Sequence, residues 1–421
     1  MKTIITFFLY FFLFLHASCH ATKYDHLIEE IRSKVAPHLA RKTAAEYYKM
    51  GVSLRKGETV FENSKEDFPL NSLSCLLAQR ICFESVLREP STTSDLSSRA
   101  FHNLGMISLQ LYEVENAIKW FEKSTLKASK ENLEKIRKIE KDYNLCGAVG
   151  TYKDEIIFRF LISNNVINTV NITENEAELF KFKDAELEDI FKVAGQVLNS
   201  IKKDQGAILL SVGRSPFWIT AAIKSLSLPK SLRVISLSFS QSRRDDLQAN
   251  EYSSPQVREY LKYLREKLAG VSSTDTLYVL DYCDSGLTAI EIWRMLDACY
   301  PPLPERPGVG GLESSTFKNR IHLIALRNST ISLPYDRIVS SQLAKIYSSV
   351  TNIELPSSLK LFLVQKDPFY TFLEMPYLGF YPSDWESYQV KGEPSKTIKV
   401  VSPIPTVRLK QIDSFKDKME R

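Results

Sequence analysis

The chain has 421 residues, 44% of them hydrophobic and 25% charged, which is room for two or three domains and an ordinary globular composition in which disorder is not the expectation. Its 55 Lys and Arg against 50 Asp and Glu leave a net charge of +5 with no Lys/Arg-rich block, so nucleic acid is not expected as a partner. Beyond Cys19 the five remaining cysteines are too few, and odd in number, for a disulfide framework, and the six scattered histidines lack ligand spacing, so no structural zinc is expected.

Lys2 precedes an apolar run from Thr3 to Leu15, followed by His16-Ala-Ser-Cys-His-Ala21. A basic start, a short apolar core and small residues near a cleavage point are the marks of a secretory signal peptide over residues 1–21. The run is shorter than the roughly 20 residues needed to span a bilayer, and no later segment is apolar enough to do so. The expected location is therefore exported, secreted or periplasmic. A lipoprotein anchored through Cys19, after Ala17-Ser18, is the alternative, although His16 stands where such sites carry an aliphatic residue. Asn171-Ile-Thr and Asn328-Ser-Thr are glycosylation acceptors only in a eukaryotic source.

Residues 22–145 read as helical throughout. Phe101, Leu104 and Gly105 are followed by Ala117, sixteen residues after Phe101, and by Phe121, four further on. Tyr47, Met50 and Gly51 copy the first half of that pattern, with residues 76–87 available as a partner helix stopped by Pro90. These spacings resemble a degenerate tetratricopeptide repeat, with Gly105 letting a second helix approach and Ala117 as the small residue it meets. Leu133, Ile136, Ile139 and Tyr143 on one face read as a capping helix, and Cys75 and Cys82 as two small core residues. No polar constellation is apparent here, so the implied role is packing or binding of a protein partner. An unrelated helical bundle is the alternative.

Cys146-Gly-Ala-Val-Gly-Thr151 breaks the helical pattern and is the expected domain boundary, and residues 155–167 read as either strand or short helix. An amphipathic helix is expected over 185–203. Thereafter the pattern alternates. Strands are expected at 207–212, 232–239, 277–280, 321–326 and 359–364, and helices at 217–226, 256–268 and 288–298. Alternation of this kind specifies an α/β fold with a mainly parallel sheet over residues 150–421, whose ligands sit at the carboxyl ends of the strands.

Two loops lie at such ends. Ser211-Val-Gly213-Arg214-Ser215-Pro216 follows the first strand, with Gly213 allowing close backbone approach, Arg214 supplying positive charge, Ser215 able to cap the next helix and Pro216 suited to its first position. In Leu280-Asp281-Tyr-Cys-Asp284-Ser285-Gly286-Leu-Thr288 the apolar run ends at Asp281 and a helix opens at Thr288, so backbone amides and a helix N-terminus face an anion. Each loop also has a plain reading as a turn between strand and helix. A serine hydrolase at Gly213-Arg-Ser215 is rejected, because Pro216 has no N–H for an oxyanion and the one later histidine, His322, lies within a strand.

The second loop resembles the phosphoribosyl-pyrophosphate loop of type I phosphoribosyltransferases, matching at Asp281, Asp284, Ser285, Gly286 and Thr288. The resemblance implies that Asp281 holds ribose hydroxyls, Ser285 to Thr288 the 5′-phosphate, Gly213 and Arg214 the pyrophosphate, with Arg243 or Arg244 reaching it and Mg²⁺ screening charge. It departs where Tyr282 replaces the family's second acid and where the loop is one residue short. The resemblance implies that the aromatic residues within 368–388 stack on a base, whereas their plainer reading is a lid over the sheet edge; residues 300–311, rich in Pro and Gly, are expected to form an exposed connection. The expectation is an exported two-domain protein. Its helical repeats bind a protein partner, and its phosphoribosyltransferase-like domain binds a phosphorylated ribose or nucleotide with little or no turnover. An active phosphoribosyltransferase using phosphoribosyl pyrophosphate and Mg²⁺ is the alternative.

Overall fold

A computed structural model describes residues 25–61, 65, 68–142, 157–158, 160–162, 164–201, 206–239, 255–272, 275–283, 286–299, 320–327, 336–359 and 402–419. The signal segment with Cys19, the boundary at 146–151, Arg243, Arg244, Asp284, Ser285, Asn328 and the stretches 300–311 and 368–388 lie outside them. The chain divides into two compact units, Met1–Lys181 with Val401–Val407, and Phe182–Val400 with Arg408–Arg421.

The first unit is built of helices α1 (Asp25–Leu39), α2 (Ala44–Arg55), α3 (Leu73–Arg88), α4 (Ser94–Gln110), α5 (Val114–Lys123), α6 (Lys127–Asp142) and the short α7 (Glu174–Glu178). Thr43 and Glu46 start α2 with a reciprocal capping box, which satisfies two of the amides that a helix N-terminus leaves open. Gly51 on α2 lies against the ring of Phe83 on α3, and Gly105 on α4 against that of Phe121 on α5. A Cβ added at Gly51 would meet Phe83 Cζ at 2.8 Å, and one at Gly105 would meet Phe121 Cε1 at 2.5 Å. Ala117, expected as the small residue on the approaching helix, is fully buried, and the atoms nearest to the Cβ added at Gly105 are those of the Phe121 ring. Gly105→Ala is therefore expected to destabilise this unit by about 2 kcal/mol through overpacking, and Phe121→Leu in the same chain to recover part of that loss, measured by thermal unfolding.

Cys75 and Cys82 are buried free thiols. The segment left open between strand and helix is helical where described, at 157–158 and 160–162. Glu176 on α7 is buried, caps its own helix through the Thr173 amide at 2.8 Å, and accepts the Ser74 amide at 2.7 Å and the Ser74 hydroxyl. A buried carboxylate with three donors is compensated, and it ties α7 to the first turn of α3.

The second unit is an α/β sandwich. Its strands are β1 (Ala207–Val212), β2 (Leu232–Leu237), β3 (Thr276–Tyr282), β4 (Ile321–Arg327) and β5 (Ser349–Glu354). They pair in the order β2-β1-β3-β4-β5, and every pairing is parallel. The helices are α8 (Asp184–Asn199), α9 (Phe217–Ser225), α10 (Pro255–Lys267), α11 (Leu287–Cys299), α12 (Asp336–Ile346) and α13 (Ile404–Met419). One face of the sheet, carrying Leu209, Tyr278, Leu280 and Ile324, packs against α8, α9 and, from Arg408 onward, α13. The other face, carrying Leu210, Val279, Cys283 and Leu323, packs against α10, α11 and α12. The connection that runs toward β2 thus uses one face and those that run toward β5 use the other, as right-handed crossovers require.

Two boundaries differ from expectation. The sheet gains an unexpected fifth strand at Ser349–Glu354; of the strand expected at 359–364, Leu359 sits in a helical turn bonded to Pro356, and 360–364 lie outside the described residues. β5 is an edge strand, half exposed, so it lacks the apolar run that marks a strand buried on both faces. β3 does not end at Asp281 but continues through Tyr282, with Asp281 paired to Ala325.

Candidate ligand site at the ends of β1 and β3

The direction of strand addition reverses between β1 and β3, which are adjacent and in register from Ala207↔Thr276 to Ser211↔Leu280. The chain leaves β1 toward α9 on one face and leaves β3 toward α11 on the other, the reversal at whose carboxyl end open α/β sheets place their ligands. Gly213 and Gly286, the two loop glycines singled out in the sequence, therefore lie beyond neighbouring strand ends on the same edge.

Both glycines have positive φ, +71° and +72°. Gly213 donates its N–H to the Leu237 carbonyl at 2.9 Å, and an added Cβ would sit 2.6 Å from the Phe239 carbonyl oxygen. Its freedom is thus used first to bring the end of β1 against the end of β2. Ser215 does not cap α9, because the turn through residues 214–216 delays the helix: Pro216 occupies the N-cap position without a side-chain cap bond, and Phe217 donates to Arg214 O at 3.0 Å. Arg214 and Ser215 are half-buried. Beneath them the Thr220 hydroxyl donates to Ser211 Oγ at 2.7 Å, fixing the first turn of α9 to β1.

Gly286 is buried and its carbonyl accepts the Ile290 amide at 3.2 Å, so it opens α11 directly; Thr288 in the first turn is half-buried. Asp281 lies on the α11 side of β3, on the same face as Val279 and Cys283. It is only 5% exposed, and its Oδ2 has no hydrogen-bond partner. Burial raises the carboxyl to about 8, opposed only in part by the Tyr282 amide. At neutral pH it is therefore an acid with a proton to give and not an anion. Cys283 beside it is likewise held protonated, first by burial and then by the proximity of Asp281. Tyr347, following α12, feels both groups and donates its hydroxyl to the Ala289 carbonyl in α11 at 2.6 Å.

Sequence reasoning missed two participants. Arg327 ends β4 and acts electrostatically on Cys283, so a cation stands on the β4 side of β3. Tyr347 braces α11 from below and carried no motif. With Arg214 after β1, this edge holds two arginines, the neutral Asp281 and, at the exposed end of β5 in register with Arg327, Glu354. The two arginines suit a polyanion, and no group of His, Cys, Asp and Glu placed to hold a metal occurs among the described residues.

The first unit also holds a polar constellation that its sequence did not reveal. Arg55 on α2 donates to Asn103 on α4 at 2.9 Å, and Asn103 donates to the Tyr48 hydroxyl at 3.4 Å. No family model matches the chain, and no curated protein gives a significant match to its sequence. Among the described residues no helix is long and apolar enough to cross a membrane.

Proposed function

We propose that the second unit binds a phosphorylated ribose or a nucleotide in the crevice between the ends of β1 and β3, without turning it over. The helical unit then serves to bind a protein partner of an exported protein. The observation that carries the ligand reading is the juxtaposition of two positive-φ glycines, each opening toward a helix, at the reversal of strand order. Backbone amides at helix N-termini and two arginines supply the donors and positive charge that phosphate oxygens require. The resemblance to type I phosphoribosyltransferases supplies the ligand class, and its loop match at Gly286 and Thr288 falls at this edge.

Two features support binding over catalysis. The family's pair of acids is represented by one, since Tyr282 stands in the second place, and the remaining acid, Asp281, is neutral at physiological pH. A ribosyl cation developing at this site would thus lack anionic support. Calorimetry with phosphoribosyl pyrophosphate and with nucleoside monophosphates, with and without Mg²⁺, tests the reading. Binding is expected, with Arg214→Ala and Arg327→Ala each weakening it about tenfold and no pyrophosphate released over hours. Heats unchanged by both substitutions would contradict the site, and release of pyrophosphate with a base present would restore the active reading.

A further inference from the structure

We propose that the helical unit grips its protein partner through an acidic peptide segment, with Arg55 as the carboxylate-binding residue and Tyr48, His102, Asn103 and Met106 forming the surface beside it. This rests on the partner-binding reading above and names the chemistry of that surface.

The strip is assembled from three helices. Tyr48, Val52 and Arg55 follow one another on one face of α2, and His102, Asn103 and Met106 on one face of α4. α6 adjoins them through His102 Nδ1 to Ser129 Oγ at 2.9 Å and Asn132 Nδ2 to Met106 Sδ at 3.2 Å. Tyr48, Val52, His102 and Met106 are half-buried, and Arg55 is exposed.

Asn103 determines what Arg55 can do. It is 5% exposed, and its amide nitrogen donates to the Arg99 carbonyl at 2.8 Å. That bond turns the side-chain oxygen toward Arg55, which donates to it through Nη1 at 2.9 Å. One of five guanidinium donors is thereby spent on a neutral acceptor, which aims the fork without neutralising it. Five other arginines of this unit are matched by acids, Arg32 by Glu29, Arg80 by Glu84 and Glu113, Arg88 by Glu84, Arg99 by Asp95 and Arg137 by Glu122, whereas Arg41, in the turn before α2, shows no such ion pair among the described residues. Arg55 has no carboxylate within ion-pair distance among the described residues. The acid nearest to Arg55 in sequence, Glu58, accepts from the Ser53 hydroxyl at 2.5 Å and pairs with Lys56 at 3.9 Å; on the helices themselves Glu46 is engaged with its own capping box, Asp95 with Arg99, and Glu131 with Lys127.

The charge also reaches across the strip, since His102 is held below its usual value first by burial and then by Arg55. A positive charge fixed in direction, left uncompensated, and flanked by half-buried Tyr48, Val52 and Met106 is complementary to a carboxylate followed by an apolar side chain. Acidic and apolar residues in alternation, on an extended segment, satisfy both features at once.

The test uses the full chain and a fluorescein-labelled peptide of alternating Glu and Leu, beside a matched peptide with Gln in place of Glu, read by anisotropy. The Glu peptide is expected to bind and the Gln peptide to bind at least tenfold more weakly. Arg55→Gln should lose that preference, while Arg137→Gln, which alters an exposed ion pair, should keep it; thermal unfolding of both variants checks folding. Glu and Gln peptides binding alike, or an Arg55→Gln variant that keeps the preference, would overturn the carboxylate site and leave partner binding standing. Binding of neither peptide would overturn both for this face. Capture instead by vesicles of anionic phospholipid, lost in Arg55→Gln, would assign the charge to a membrane surface and overturn the peptide reading.

Discussion

Replacing Asp281 by Asn should stabilise the second unit by about 4 kcal/mol at pH 7 and by almost nothing at pH 4. Folding moves this carboxyl from its ordinary value of 3.8 to about 8, with burial as the cause. A group whose folded value is raised contributes fully at pH below the unfolded value, and that contribution is lost as pH rises through the folded one. The wild-type chain should therefore lose stability from about pH 4 to about pH 8, by about 1.4 kcal/mol per pH unit from this residue, and level off above. Asn keeps the shape and cannot ionise, so its chain should show no such slope. Urea unfolding of both proteins at about pH 4 and about pH 8 measures the difference. Equal slopes would mean that Asp281 is solvated and ionised in the fold. A buried acid with an unpartnered oxygen costs stability, and one just before a strand's carboxyl end is a candidate for function.

Gly213→Ala should destabilise the same unit by about 3 kcal/mol, combining a strained positive φ with a Cβ forced into a backbone carbonyl. The Phe239 oxygen cannot step aside as a side chain would, so the end of β2 must separate from β1 and the Gly213–Leu237 bond lengthen. Gly195→Ala is the internal contrast. That glycine lies within α8 with ordinary φ, and nothing lies within 4 Å of its added methyl group, so alanine there should stabilise by about 0.5–1 kcal/mol. The same chemical change is thus expected to have opposite signs eighteen residues apart, measured by chemical denaturation. Two changes of equal sign would refute the close approach at Gly213.

How much of this was legible depended on burial. β1, β3 and β4 were visible because strands covered on both faces leave continuous apolar runs, as in Ala207–Val212. β5, at the edge and half exposed, lacks the apolar run that would announce it. Asp281 looked like a strand end because acids are rare inside sheets; its burial is a tertiary fact, produced by α11 and Tyr347 closing over it. Gly213 and Gly286 were legible as turn residues, whereas the neighbour that demands Gly213, Phe239, is brought by strand pairing. Arg55 and Asn103 are 48 residues apart and carry no spacing that a reading along the chain detects. Arg327 stood out in no pattern, since its role comes from the strand order alone.

Amide chemical shifts of Gly213 and Gly286, followed by NMR during titration with phosphoribosyl pyrophosphate, test the shared phosphate crevice most directly. Both resonances are expected to move along one binding curve, and Arg214→Ala to weaken both together. Shifts at one glycine without the other, or at neither while ligand is bound elsewhere, would contradict a common site at the ends of β1 and β3.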